Sequence, residues 1–225
     1  MLFRSLGDPA ELQRQHNNSA LSILTQAAGM GVPLSLQQAS DLANQGLQQG
    51  WDAATMTYHI AQNAQHNKDQ FGSISATQTS LQGVAANQGI NVSEATTFDW
   101  AKRIAAGTAT SEGFADYARG QAAFAHPYWA RQIDEGATVR QLADPYIQNA
   151  SKLLEIDPSQ IDISDPKWQF TNRNKDGSST PMSQDQWNVK IMSDPKYGWD
   201  RTNNARQAAY SVVQQLGNAF GKVPQ

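Results

Sequence analysis

Through most of the chain, apolar positions recur at steps of three and four, the spacing of one buried helix face. From Ser35 the stripe runs Leu36, Ala39, Leu42, Ala43 and Leu47; from Thr138 it runs Val139, Leu142, Ala143, Ile147, Ala150 and Leu154. Each start carries a hydroxyl residue followed three positions later by Gln: Ser35-x-x-Gln38, Thr138-x-x-Gln141 and Ser183-x-x-Gln186. That is the capping box, in which the hydroxyl accepts an amide hydrogen and the Gln reaches back. A last helix is predicted over about Thr202 to Phe220. It would bury Ala205, Ala209, Val212, Val213, Leu216 and Phe220, with Gly221 as its C-cap.

Asp-Pro occurs at Asp8-Pro9, Asp144-Pro145, Asp157-Pro158, Asp165-Pro166 and Asp194-Pro195. The pair fits Asp as N-cap with Pro at the first helical position. Pro145 falls within a periodic run and is predicted to kink or restart its helix.

A unit of helix, Gly, cap and helix recurs up to three times. The first copy runs from Ser35 to Gly50, then Asp52 and a helix with Ala54, Tyr58 and Ala61. The second runs from Ser93 through Trp100-Ala101-Lys102-Arg103-Ile104 to Gly107, then Thr110-Ser111 and a helix with Phe114, Tyr117 and Ala118. The third is Trp129-Ala130-Arg131-Gln132-Ile133 to Gly136, then Thr138 and Leu142-Ala143-Asp144-Pro145-Tyr146. Gly between two helices suits a tight hairpin, because it takes the left-handed turn without a Cβ penalty.

Residues 62–91 are polar, with Phe71, Ile74, Leu81 and Val84 as sparse anchors, and read as a weakly buried helix or a flexible connector. From Glu155 the character changes. Ile156, Ile161 and Ile163 alternate with polar residues, Trp168, Phe170, Trp187 and Trp199 concentrate aromatics, and Thr171 to Pro181 reads as a turn or short hairpin. The expected fold is mainly α: an array of helical hairpins with a small aromatic-rich C-terminal segment. Its expected divisions are residues 1–88, 89–155 and 156–225.

Composition agrees with narrow buried stripes. Of 225 residues 31 are Ala and 26 are Gln, and charged residues are only 16%. With no Cys, disulfides, thiol catalysis and Cys-based metal sites are excluded. The net charge of −3 gives no basic excess for phosphate, so nucleic acid is not an expected partner. No apolar run approaches the ~18–20 residues of a spanning helix, and the N-terminal residues lack a signal-peptide pattern. A soluble product of the cytoplasm is expected.

Chemistry-bearing motifs are incomplete. Asn172-x-Asn174-x-Asp176-Gly177 echoes the first half of a calcium loop, yet Asn172 stands where Asp is needed and Ser183 where the bidentate Glu belongs. A polar turn is the expectation there. His59 and His66 lack a third ligand and read as surface residues, and His16 and His126 are isolated. Glu112 and Asp116 share a helix face, but Glu112 fits a first-turn acid at a helix N-terminus. No nucleophile elbow or phosphate loop occurs. Catalytic, cofactor and metal residues are therefore expected to be none. Trp168, Trp187 and Trp199 are the expected interaction residues, some of them exposed, because six Trp exceed what so thin a core requires.

The stretch Trp129-Ala130-Arg131-Gln132-Ile133-Asp134-Glu135-Gly136-Ala137-Thr138, with Leu142 to Tyr146, Leu153-Leu154-Glu155, Trp187, Asp194-Pro195-Lys196-Tyr197-Gly198, Thr202 to Arg206 and Phe220-Gly221, resembles virion proteins of tailed bacteriophages that infect actinobacteria. The resemblance covers about residues 89–225. It implies a minor tail, tape-measure-like or internal virion protein, located in the virion, with other virion proteins or further copies of itself as partners. No catalytic residue carries over. The alternatives are the helical part of a virion-associated cell-wall-degrading enzyme, with Glu112 among its carboxylates, and a host-side helical adaptor or secreted effector.

Overall fold

The structure is a computed structural model that describes residues 9–66 and 71–220. Among the described residues it is mainly α, with ten α-helices and one two-stranded antiparallel sheet. The chain forms two compact units, and their boundaries differ from the three sequence segments. The first takes in the described residues up to Ala85 together with Val92–Ala118; the second takes in Ala86–Asn91 and the described residues from Arg119 on.

The first unit is built from α1 (Pro9–Met30), α2 (Leu36–Gln49), α3 (Ala53–Gln62), most of α4 (Ser73–Asn87), α5 (Glu94–Ala105) and the first half of α6 (Ser111–Ala125). Helix α1 packs on α2 and α3, and α3 on α5. The seams combine small residues, Ala20 and Ala27 on α1, Ala39, Ala43 and Gly46 on α2, Thr97 and Ala101 on α5, with the larger Ile23 and Met30 of α1. Small side chains let helix backbones approach closely, and the larger share of burial energy rests on Ile23, Ile60, Ile74, Leu81 and Phe114, at roughly 1.5–3 kcal/mol for each large side chain. The stripe predicted from Ser35 is narrower than its pattern. Leu36 and Leu47 are exposed, because Ala39, Ala43 and Gly46 already define the face that meets α1 and α3.

Caps open these helices as their sequences imply. Ser35 Oγ accepts the Gln38 N–H at 3.2 Å, Asp52 Oδ1 the Thr55 N–H at 2.8 Å, and Ser93 Oγ the Thr96 N–H at 3.1 Å. The bonds from Thr55, side chain first and backbone second, hold the Asp52 carboxyl below its ordinary range. Gly50 ends α2 in the left-handed region at φ 66°. In the second sequence unit, Trp100 of α5 meets Phe114 and Tyr117 of α6 at ring distances of 5.5 and 5.8 Å, with Arg103 stacked over the indole. Within the stretch read as a connector, α4 is an ordinary helix that buries Ile74, Leu81 and Ala85.

The second unit centres on α8 (Val139–Leu154), whose capping box at Thr138 and Gln141 is complete. Its buried residues Val139, Ala143, Ile147, Ala150 and Leu154 follow the predicted stripe. Pro145 does not restart the helix: α8 runs through it, held by that buried face on both sides of the lost backbone bond. A 3₁₀ turn Pro127–Trp129 and α7 (Ala130–Asp134) precede it, and α9 (Gln184–Ser193) packs against it. Strands β1 (Thr171–Arg173) and β2 (Ser179–Pro181) form the expected hairpin, pairing Thr171 with Pro181 and Arg173 with Ser179. Asp157, Asp165 and Asp194 each cap a one-turn 3₁₀ helix rather than an α-helix, accepting the N–H two residues on. Asp8 lies outside the described residues.

From Ser151 to Asn204 the chain has no alanine, and aromatic rings fill the core in its place. Trp187 is fully buried with Phe170 at 5.2 Å, Tyr197 at 5.8 Å, Tyr146 at 6.1 Å and Trp168 at 6.5 Å. Their polar atoms end on backbone carbonyls. Trp187 Nε1 donates to Tyr146 at 3.0 Å, Tyr146 Oη to Met182 at 2.6 Å, and Tyr197 Oη to Lys167 at 2.7 Å. An amphipathic ring buried with its handle satisfied fixes one arrangement of the core.

Candidate functional site

The last helix, α10 (Asn203–Phe220), is the feature that departs most from an ordinary helical core. Ala205 is its one buried residue, and every position from Arg206 to Phe220 is exposed. The sequence expectation of a buried stripe is corrected here at Ala209, Val212, Val213, Leu216 and Phe220; Gly221 lies outside the described residues. Val212 is 53% exposed, Val213 66%, Leu216 51% and Phe220 77%. At 100° per residue these side chains share one face with Ala205, Ala209 and Ala219, so the amphipathic pattern is real, and beyond Ala205 this face is exposed among the described residues. The opposite face carries Gln207, Ser211, Gln214 and Asn218, and no charged residue occurs from Gln207 to Phe220.

The helix is firmly rooted. Thr202 Oγ1 accepts the Ala205 N–H at 3.1 Å and donates to the Trp199 carbonyl at 2.7 Å. Glu155, which ends α8 in the left-handed region at φ 56°, places its carboxylate on the N–H groups of Asn203 and Asn204 at 3.2 and 2.8 Å. The Asn204 amide in turn donates to the Lys152 and Leu153 carbonyls at 2.8 and 3.3 Å. Orphan donors of one helix start and orphan acceptors of one helix end are thus each satisfied by a side chain from the other. A negative charge at the positive end of α10 adds to this.

Of the predicted interaction residues, Trp168 and Trp187 lie in the core at 5% and 0% exposure, and Trp199 is half-buried against that core. The expectation of exposed indoles fails at Trp168 and Trp187 for the reason given above: an alanine-free segment needs large rings to fill its interior. Exposed large apolar side chains occur at several places, Phe71 and Phe124 among them, but they follow one another along a helix face at α10, where periodicity alone could not tell cover from solvent.

The remaining sequence candidates are occupied locally. Asp176 Oδ1 accepts from the Ser178 N–H and Oγ at 2.9 and 2.7 Å, which holds its carboxyl below the ordinary range, and Asn172 donates to Gln186. His59 stacks flat on Trp51 at 3.8 Å, and His66 lies 3.8 Å from Glu94. Glu112 and Asp116 are both exposed on α6. Among the described residues, no three His, Asp or Glu come together around a common metal position. No helix among them is long and apolar enough to cross a membrane.

His126, isolated in the sequence, gains neighbours in the fold. It borders a hollow of about 550 Å³ together with Gly89, Tyr128, Asp165 and Arg173. Its Nδ1 lies 2.8 Å from Tyr128 Oη, and its buried Nε2 has no hydrogen-bond partner. Desolvation lowers the imidazole pKa, outweighing the nearby Gly89 backbone, and burial pushes the Tyr128 phenol up to about 12. The pair therefore stays neutral around pH 7.

Comparison of the chain with protein-family models, with curated proteins and with solved structures finds no match.

Proposed function

We propose that this chain is a non-enzymatic structural and interaction component of a tailed-bacteriophage particle, of the minor tail, tape-measure-like or internal virion kind, acting through contacts with other protein chains. The observation that carries the interaction reading is α10: a capped, rooted helix whose apolar face is exposed over four turns. Monomeric proteins rarely leave contiguous apolar surface of this extent uncovered without a use for it. The assignment to a virion rests on the likeness of residues 89–225 to actinobacteriophage virion proteins. The net charge of −3, with no basic excess, supports the same reading, since it favours contact with protein over nucleic acid.

The test is mass spectrometry of purified particles from a phage encoding this chain. The protein should be present at a fixed ratio to the major capsid protein, and Leu216→Glu should lower that ratio while the isolated variant keeps its helical circular dichroism. A chain found only in the host lysate and absent from particles defeats the proposal.

A further inference from the structure

The exposed face of α10 is graded in size along its length. Beyond the buried Ala205 it presents Ala209 first, then Val212 and Val213, and last Leu216 and Phe220. Among the exposed residues, positions 209, 212, 216 and 219 also keep the 3-4-3 spacing of a two-helix seam.

We propose that α10 pairs with α10 of a second copy of this chain, antiparallel, about a two-fold axis near Val212. This deepens the interaction reading above and rests on it. Antiparallel pairing sets Leu216 of one copy over Ala209 of the other and brings Val212 against Val212. The large Leu216 then faces the small Ala209 on both sides of a central Val212 pair, as close packing requires. A parallel pair would set Phe220 on Phe220 and leave Ala209 over Ala209 with a gap. Both halves of the complement lie on one chain, so a self-complementary contact closes with a single partner.

Charge allows the pairing. With no ionised side chain from Gln207 to Phe220, no like charges meet across the seam or flank it. The same neutrality disfavours an anionic membrane as the occupant, because interfacial helices use Lys and Arg on their polar face. Area allows it as well. The stripe offers on the order of 500 Å² of apolar surface per copy, so a pair covers about 1,000 Å², the lower limit for a specific interface. The root at Glu155 and Thr202 lowers the ordering cost, because the helix is already formed before the partner arrives.

Sedimentation equilibrium of the full chain across a hundredfold range of concentration tests this. The mass should rise from monomer toward dimer, and Leu216→Glu should shift the midpoint at least tenfold upward with unchanged circular dichroism. Because the chain has no cysteine, single thiols report the orientation: Val212→Cys should form an interchain disulfide on mild oxidation, whereas Ala209→Cys should cross-link only when mixed with Leu216→Cys. A chain that stays monomeric, or an Ala209→Cys variant that cross-links with itself as readily as Val212→Cys, overturns the antiparallel pair. Binding of the monomer to neutral phosphatidylcholine vesicles, lost in Leu216→Glu, also overturns it. A strictly monomeric protein that is still incorporated into particles refutes the self-pairing alone and leaves the virion reading standing.

Discussion

Glu155 and Asn204 tie together the ends of two helices: the Glu155 carboxylate accepts the Asn204 N–H at 2.8 Å, and the Asn204 side-chain amide donates to the Lys152 carbonyl at 2.8 Å. Each side chain thereby completes the other helix's open end, and a left-handed Glu at φ 56° is what aims the carboxylate. A residue other than Gly in that region is conformationally disfavoured, so the contact outweighs a local cost.

Two substitutions separate the two effects. Glu155→Ala removes the carboxylate and keeps the disfavoured backbone, and should cost about 1 kcal/mol, the size of a lost N-cap. Glu155→Gly also removes the carboxylate but relieves the backbone, and should be the more stable of the two variants by about 1 kcal/mol. Hydrogen exchange at the Asn203 and Asn204 amides should quicken in both. Equal exchange rates in the parent chain and both variants would show that the carboxylate does not hold the helix start.

Trp187 should behave as a structural residue. Trp187→Ala empties the centre of the aromatic core and leaves the Tyr146 carbonyl without its indole partner, and should destabilise the second unit by about 3–5 kcal/mol. Trp187→Phe keeps an apolar ring and should cost less. In acrylamide quenching, Trp168 and Trp187 should be protected in the monomer; ready quenching of both would contradict their burial.

Helix existence, most starts and the hairpin at Asp176-Gly177 were legible because their causes are local: an apolar period, a hydroxyl three residues before Gln, a Gly in a turn. The stripe on α8 was read correctly through Leu154 for the same reason. What a stripe faces is a different matter. Leu36, Leu47 and Leu216 belong to periodic patterns as regular as that of α8, and only the packed structure shows that they are exposed among the described residues. The burial of Trp187 is not legible from the number of Trp in the whole chain, because demand for large rings is set locally, where alanine is absent. The Glu155–Asn204 contact spans 49 residues and has no sequence signature beyond Thr202-Asn203-Asn204, whose polar run before an apolar period does mark a capped start.

Gly31 and Gly72 form a backbone crossing in the first unit. A Cβ on Gly31 would overlap the Phe71 carbonyl, one on Gly72 would overlap the Gly31 backbone, and both residues have positive φ, 78° and 142°. No side chain can yield there, since the obstacle is main chain. Gly31→Ala should therefore lower the melting temperature by several degrees, more than Gly50→Ala, where φ is also positive but a Cβ meets open space. Comparable shifts for the two variants would show that backbone conformation alone sets the cost.

His126 should make stability fall on mild acidification. Its folded pKa lies below the unfolded value near 6.5, since burial disfavours the imidazolium. Between the two values the unfolded chain binds the extra proton, so stability is full above about pH 6.5 and declines as pH falls through the folded pKa. Replacing the imidazole by a group that does not titrate removes this contribution. In His126→Gln, unfolding free energy measured by urea between pH 7.5 and 5 should lose the slope that the parent chain shows, whatever the variant's absolute stability. The Asp side chains at N-caps titrate lower, in the carboxylate range, so their own acid-linked loss lies below this window. An unchanged slope in His126→Gln would place the coupling elsewhere and show that the buried imidazole is protonated as easily in the folded chain as in the unfolded one.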